Sequence, residues 1–474
     1  MIDPPLSSWS PQTPHRDRTT LRHIVNDHAQ RLHTAALTIT HPLIATGHQA
    51  WLWHPGILAK DIAMAAAARL HQSGMVHLIV DQDVNEALTL EVPVQEGNRL
   101  RVYPLRLAAQ IAGVPTGVHP PIDPADVKQS LDDTRRSLGD SLCVDLSPIA
   151  RAFVDLPACR SLAEQLAVVT VRLMRPWVGD VPVFFASDLP RLPGFAQIVR
   201  RMLDDPQKCV ACYNQAAAAR PEAGIAPLAV EPDRVELPLW VMHAGAPRRR
   251  VYADVADRRA ILVNEDGEPL TPPSGVSLRR EMGSQLAPKA LLLTAIMRCE
   301  ACDLFIHGKG GGEYDRITED WWRAWTSEEL APTAVVSVDL YLDLKAPVAE
   351  RGDLARAVWW QHHLPHNLDR ALRLDDALAR RKAELLSHMG GNRDRRRRAT
   401  AFADLHAINA RLVAEHPQAV HDAEQSVERA QAGVANRAIS AKRDWCFALY
   451  ADGQLAALMQ ALHAPSWGPA RPAG

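Results

Sequence analysis

At 474 residues, 47% of them apolar, the chain is long enough to bury one large core with insertions or two to three ordinary ones. Its 53 Lys and Arg stand against 55 Asp and Glu, a formal net charge of -2, so no global field points to nucleic acid or an acidic membrane. The polar, Pro-rich start lacks the apolar core of a secretory signal, and runs such as 290–297 are too short to span a bilayer, so a cytoplasmic location is expected.

Residues 1–35 read as an irregular arm leading into a short helix. From 36 to about 350, apolar runs alternate with helix-like segments, the pattern of an α/β body with a mostly parallel sheet covered by helices. Strands are predicted over 37–45, 76–80, 181–186, 237–242, 303–306 and 334–340. Residues 89–94 with 100–105, and 250–255 with 260–264, read as hairpins or edge excursions. The region near 106–160, rich in Pro, Asp and Ser over 110–150, reads as an insertion, and 267–275 as a loop.

After about 351 the texture changes to Ala, Arg, Leu, Glu and Asp. Two long helices are predicted over 353–388 and 395–462, parted at Gly390-Gly391-Asn392. Leu364, Ala371, Leu378 and Leu385 keep a seven-residue spacing, while Asp375 and Lys382 interrupt the companion positions. That pattern predicts an antiparallel, coiled-coil-like hairpin over 351–474, packed on the body. Its surface also suits a homodimer contact.

Three segments carry chemistry, each just past an apolar run. The first is 46–60, with Gly47, His48, Gln49, His54, Gly56 and Lys60. A glycine there allows close backbone approach to a ligand, and the following helix offers unpaired N–H groups to an anion. Within it, His54-Pro55-Gly56-Ile57 is similar to the His-x-Gly-His turn of class I nucleotidyl transferases, with Ile57 in place of the second His. Pro55 also suits the first position of a helix. The second segment is 80–83, where Asp81 and Asp83 follow a strand and could hold an amine, a sugar hydroxyl or Mg²⁺, or simply open a turn.

The third is 305–315, with His307, Gly308, Lys309, Gly310, Gly311, Tyr314 and Asp315. Its glycines clear side chains from the backbone amides, as a phosphate cradle needs. It is neither a Walker A loop nor G-x-G-x-x-G, since Glu313 stands where the third Gly would be. Arg248–Arg250 and Arg279-Arg280 precede sheet elements, where Arg suits a carboxylate or phosphate; the Arg-rich run at 393–398 reads as solvated surface. Cys209/Cys212 and Cys299/Cys302 have metal-ligand spacing, but they lie about 90 residues apart and the second pair sits in an apolar run, so structural cysteines and no metal site are expected.

These three segments in this order, followed by a helical C-terminus, resemble the cysteine-adding enzyme family of bacillithiol synthesis. The family's first motif is like Thr46-Gly47-His48-Gln49 with His54-Pro55-Gly56 and Lys60 beyond it, His48 standing where the family has Gln. Its acidic cluster after a strand looks like Asp81-Gln82-Asp83, and its glycine turn before a Tyr is similar to 308–314. Ser277-Leu278-Arg279 and Pro288 fall where the family has a Ser-Pro and an Arg.

The resemblance implies a Rossmann-like core with a C-terminal coiled coil, and a ligase joining an amino acid or similar carboxylate to an amine. A nucleotide such as ATP, with Mg²⁺, is the cofactor such a scheme would use. Lys60 and His54 would then stabilise phosphate or oxyanion charge, Asp81 or Asp83 would bind the amine or take its proton, and His307 is a second candidate base. Gly47, His48, Gln49, Gly56, Arg279, Gly308, Lys309, Gly310, Gly311, Tyr314 and Asp315 would bind substrate or nucleotide. The rival reading is a non-catalytic nucleotide- or sugar-binding protein with a helical interaction surface.

Overall fold

A computed structural model describes residues 2–4, 9, 16–256, 260–270, 284–391 and 394–463. In chain order the first elements are β1 (Ile2–Asp3), α1 (Thr19–Leu32), β2 (Leu43–Gln49), α2 (Pro55–His71) and β3 (Gly74–Val80). The hairpin β4 (Thr89–Glu96) and β5 (Arg99–Arg106) follows, then α3 (Pro124–Leu138), α4 (Ser147–Ala152) and α5 (Leu162–Val178). Next come β6 (Val183–Phe185), α6 (Pro193–Asp204) and α7 (Pro206–Ala218), then β7 (Arg234–His243), β8 (Arg249–Asp254), β9 (Ile261–Asn264) and β10 (Ser284–Pro288). The body closes with α8 (Ala290–Ile296), β11 (Leu304–His307), α9 (Lys309–Thr326) and β12 (Thr333–Val336). Five helices complete the chain: α10 (Arg351–Ala371), α11 (Ala377–Gly391), α12 (Arg395–Glu415), α13 (Pro417–Ser440) and α14 (Asp452–His463).

The central sheet has the order β1-β12-β11-β2-β3-β6, parallel except for the antiparallel edge strand β1. Numbered by chain order, its five parallel strands run 3-2-1-4-5, so the winding reverses between β2 and β11. Ligands of open α/β sheets sit outside the carboxyl ends of the strands at such a reversal. The sheet is buried on both faces, and side chains alternate between two cores. Ile44, Leu304 and Ile306 face α2, α5 and α14; Leu43, Ala45 and Phe305 face α6 to α9.

Several expectations need correction. The strand expected at 37–45 begins only at Leu43 and runs on to Gln49. Pro42 has no N–H to give a ladder. Gly47 is therefore inside the strand, paired with Leu78, and a Cβ on it would lie 2.6 Å from the Leu78 carbonyl oxygen. Close strand packing, rather than a turn, requires that glycine. The strand expected at 237–242 lies in β7 of a separate antiparallel sheet, β10-β7-β8-β9, because a short turn returns it directly onto β8. The region near 106–160 carries α3 and α4.

The C-terminal arms are each broken in two. Residues 372–376 part α10 from α11, and His416 parts α12 from α13, where Pro417 takes the first helical position. The chain folds back on itself, α10 against α13 and α11 against α12, around Leu364, Leu368, Leu385, Ile408 and Leu412. Lys382, which breaks the apolar spacing, is buried against Asp369 at 2.5 Å and donates to the His366 carbonyl at 2.7 Å. The expected helix through 462 ends at Ser440. Residues 441–463 then return to the body: Phe447 N–H donates to the Trp53 carbonyl at 2.7 Å, and α14 packs on α2 and α5. Among the described residues no helix is long and apolar enough to cross a membrane.

Candidate functional site

A cavity of about 700 Å³ opens at the carboxyl ends of β2, β3, β11 and β12, at the reversal point of the sheet. Gly47, His48 and Gln49 reach it from the end of β2, Gln82 and Asp83 from beyond β3, and His307 through Gly311 with Tyr314 from β11 and α9. His54, Gly56 and Lys60 line it from the start of α2. The three segments singled out in the sequence thus share one cavity.

The α2 wall is built by its cap. His54 is the N-cap, and its Nδ1 accepts from the Gly56 N–H at 3.1 Å. A Cβ on Gly56 would lie 2.8 Å from the His54 ring, so the glycine makes room for the cap. One turn on, Lys60 is 3% exposed and donates from Nζ to the Gly47 carbonyl at 2.6 Å. Burial pulls its ammonium down to about 8, opposed by the neighbouring Asp61 carboxylate. Burial also lowers His48, helped by Lys60, His54 and His77, so its imidazole is neutral at pH 7. For His54, burial lowers the pKa, Asp444 opposes, and Lys60 and Arg443 assist.

The opposite wall presents acceptors. Gln49 Nε2 donates to Asp83 Oδ2 at 3.3 Å, and Arg248 Nη1 donates to Asp83 Oδ1 at 2.8 Å. Arg248 also donates to the Gln82 carbonyl at 2.8 Å while its guanidinium lies 4.4 Å from the Trp240 ring centre. Asp83 therefore comes with a fixed counter-ion. Gln82 is 2% exposed; its Nε2 donates to the Pro288 carbonyl, which leaves Oε1 as a buried acceptor with no partner among the described residues. Such an atom is costly unless something supplies a donor.

The glycine segment is not the loop that was expected. Gly308 is the N-cap of α9, Lys309 to Gly312 form its first turn, and none of the glycines 308–312 has a positive φ. Close approach explains two of them: a Cβ on Gly311 would sit 2.5 Å from His307 Nδ1, and one on Gly312 2.7 Å from Val335 Cγ2. At Gly308 and Gly310 an added Cβ meets nothing within 4 Å. Among the described residues no side chain caps α9, so its first N–H groups and its dipole are left for an anion. Lys309 beside them makes no ion pair among the described residues.

Two expected site residues are elsewhere. Asp315 is 2% exposed and lies behind the cavity, 2.6 Å from His307 Nε2. Asp81 turns away into a second cavity of about 260 Å³ between β3 and β6, where its Oδ1 accepts from the Ser187 N–H at 2.9 Å. The strand ends at Val80, so alternation no longer sets its direction. Arg279 lies outside the described residues, as does the end of the expected 267–275 loop. The sequence reading missed Lys442, Arg443 and Asp444, which line the cavity from the segment returning after α13. Lys442 is held by Glu91 and Asp444, each at 2.7 Å, and Arg443 by Asp339. The signal was Trp445-Cys446-Phe447, bulky residues that interrupt an otherwise Ala- and Arg-rich stretch.

Burial pushes the Asp81 carboxyl up to about 7. Unfolded, it would titrate near 3.9. Between those values the native state holds the proton that the unfolded chain releases, so stability falls as pH rises through that window. Asp81→Asn keeps an oxygen for Ser187 and should flatten the fall. Urea midpoints at about pH 5 and about pH 8 check this; an equal drop in mutant and wild type would refute it.

Among the described residues no group of three or more His, Cys, Asp or Glu is placed to hold a metal ion. No protein-family model and no curated protein matches this chain.

Proposed function

We propose that this cavity is the active site of a ligase-like enzyme that joins an amino acid or similar carboxylate to an amine on a Rossmann-like body. One observation carries the reading: buried Lys60 on α2 and the uncapped first turn of α9 line the same cavity as Gln82 and Asp83. The first pair suits phosphate or carboxylate oxygens. The second suits an amine or hydroxyl donor. The strand order and the likeness of the three segments to the cysteine-adding family support the same assignment, with a nucleotide such as ATP activating the carboxylate and Mg²⁺ accompanying its phosphates.

A thermal-shift panel of ATP, ADP, AMP, amino acids and aminosugar conjugates tests it. A ligand that binds only the native state at about 100 times its Kd stabilises it by about 2.7 kcal/mol. Shifts with both ATP and an amino acid, followed by ATP turnover in the presence of an amine, are the expected result. Binding without turnover would return the rival, a non-catalytic nucleotide- or sugar-binding protein.

The α9 turn gives a sharper check. A Cβ at 310 meets no protein atom within 4 Å, and Gly310 lines the cavity, so Gly310→Val places its methyls where the anion approaches. ATP affinity should fall at least about 10-fold, equivalent to about 1.4 kcal/mol, with little change in melting temperature. Lys309→Ala leaves the amides in place, so its loss should be smaller and should shrink with added salt. Titration calorimetry on both variants decides; wild-type affinity in Gly310→Val would mean the turn holds no ligand.

A further inference from the structure

We propose that His307 is the proton-transfer group of this cavity and that Asp315, anchored by Arg298, is the positioning residue that sets its tautomer. The part assigned to His307 rests on the reading of the cavity as an active site; the part assigned to Asp315 does not.

The cavity holds three histidines, His48, His54 and His307. A general base must be able to accept a proton and then live as an imidazolium. His54 has its Nδ1 lone pair occupied by the Gly56 N–H, so its neutral ring can only donate, from Nε2. His48 is surrounded by Lys60, His54 and His77, all of which disfavour a further positive charge. Only His307 among them has a carboxylate at a ring nitrogen: Asp315 Oδ2, 2.6 Å from Nε2. The contact is off the hydrogen-bond line, since neither atom finds a hydrogen-bond partner among the described residues.

Asp315 is itself held from behind. Arg298 is 1% exposed, with Nη1 3.4 Å from Asp315 Oδ2. Its other donors are fixed, Nη2 on Glu319 at 2.5 Å and Nε on the Ala331 carbonyl at 2.6 Å. A guanidinium is always charged and pairs Asp315 from behind, and a carboxylate at Nε2 favours the tautomer with the proton there. The lone pair is then on Nδ1, the atom beside Gly311, where any side chain larger than hydrogen would press on the ring. In the proposed reaction the amine nitrogen's lone pair forms the C–N bond to the nucleotide-activated carboxylate. The C–O bond to the departing phosphate breaks with its electron pair, and the amine proton passes to Nδ1.

Histidine-selective ¹⁵N NMR tests the tautomer, with His307→Gln identifying the signals. Wild type should show His307 protonated at Nε2 and bare at Nδ1. Asp315→Ala should lose that preference and average the two nitrogens. Should the uncompensated Arg298 keep that variant from folding, Gly311→Ala leaves the Arg298–Asp315 pair intact and should move the His307 signals by displacing the ring. A wild-type ring protonated at Nδ1, or unchanged His307 signals in a folded variant, overturns the assignment. With ATP, amino acid and amine as probes, His307→Gln should lower turnover about 10²–10⁴-fold while the KM for ATP holds. Turnover unchanged by His307→Gln removes the proton-transfer role. Absence of turnover in wild type removes that role together with the ligase reading, and the tautomer result then stands for Asp315 alone.

Discussion

Lys60→Met should yield a protein more stable than wild type at pH 7 that has lost its hold on anions. The lysine is 3% exposed, and burial brings its ammonium down to about 8. In the unfolded chain the same group titrates near 10.4. Below pH 8 both states carry the proton, and the native state bears the whole desolvation cost, about 3 kcal/mol for this difference. As pH rises from about 8 to about 10.4 the unfolded chain holds more protons than the native one, so native stability increases. Met keeps the volume and removes the charge. It also forfeits the charged hydrogen bond to the Gly47 carbonyl, worth about 1.5–3 kcal/mol.

The net gain at pH 7 should therefore be about 1 kcal/mol. It should reverse above the lysine's unfolded pKa, where neutral Lys60 costs little and still donates. Anion affinity should fall by about 2–5 kcal/mol, the usual loss when one member of a buried charge pair is truncated. Denaturant melts across pH and calorimetry with ATP measure both. A variant less stable at pH 7 with intact ATP binding would show that Lys60 only fastens α2 to β2. A residue kept at a cost to stability is what a binding role predicts.

The parts of the site visible in the sequence were those announced by apolar runs. Residues 43–45, 78–80 and 304–306 are apolar on both faces, and whatever follows such strands lies at one edge of a parallel sheet. That is why the sequence alone groups His48, Asp83 and His307. Glycines misled in two ways. Gly47 looked like a junction, but only the distance to Leu78 in the neighbouring strand reveals its purpose. Four glycines in 308–312 looked like a loop, whereas Gly311 and Gly312 are small because His307 and Val335 lie against the first turn of a helix. Both causes are tertiary, and composition cannot express them. Arg298 was invisible for the same reason: nothing in its own segment indicates that its partners are Asp315 and Glu319. The return of the chain at 441 was hidden by helix-forming composition on both sides of Trp445.

Asp303→Ala should cost about 3–5 kcal/mol, more than any change within the cavity. Arg18 grips both oxygens of this carboxylate, at 2.6 and 2.7 Å, and the two side chains are 0% and 3% exposed. Asp303 Oδ2 also accepts from the Leu43 N–H at 2.8 Å, and the Asp303 N–H donates to the Leu43 carbonyl at 2.8 Å. These contacts sit where β2 and β11 begin, so one carboxylate fixes the start of the two strands that flank the reversal point. Alanine at 303 would leave the Arg18 guanidinium buried with no carboxylate opposite it, held among the described residues only by the Thr40 carbonyl and the His41 ring, and the desolvation already suffered is what makes the loss large. Arg18→Met/Asp303→Ala removes the stranded charge and should be less destabilised than Asp303→Ala alone, a non-additivity that independent sites do not show. Urea melts with unchanged slopes would measure it. A single mutant within about 1 kcal/mol of wild type, or a double mutant that merely sums the two losses, would mean the pair contributes no more than surface ion pairs do. The contact lies at the amino ends of the strands and the cavity at their carboxyl ends. Asp303→Ala that remains folded should therefore bind ATP like wild type, the reverse of Lys60→Met.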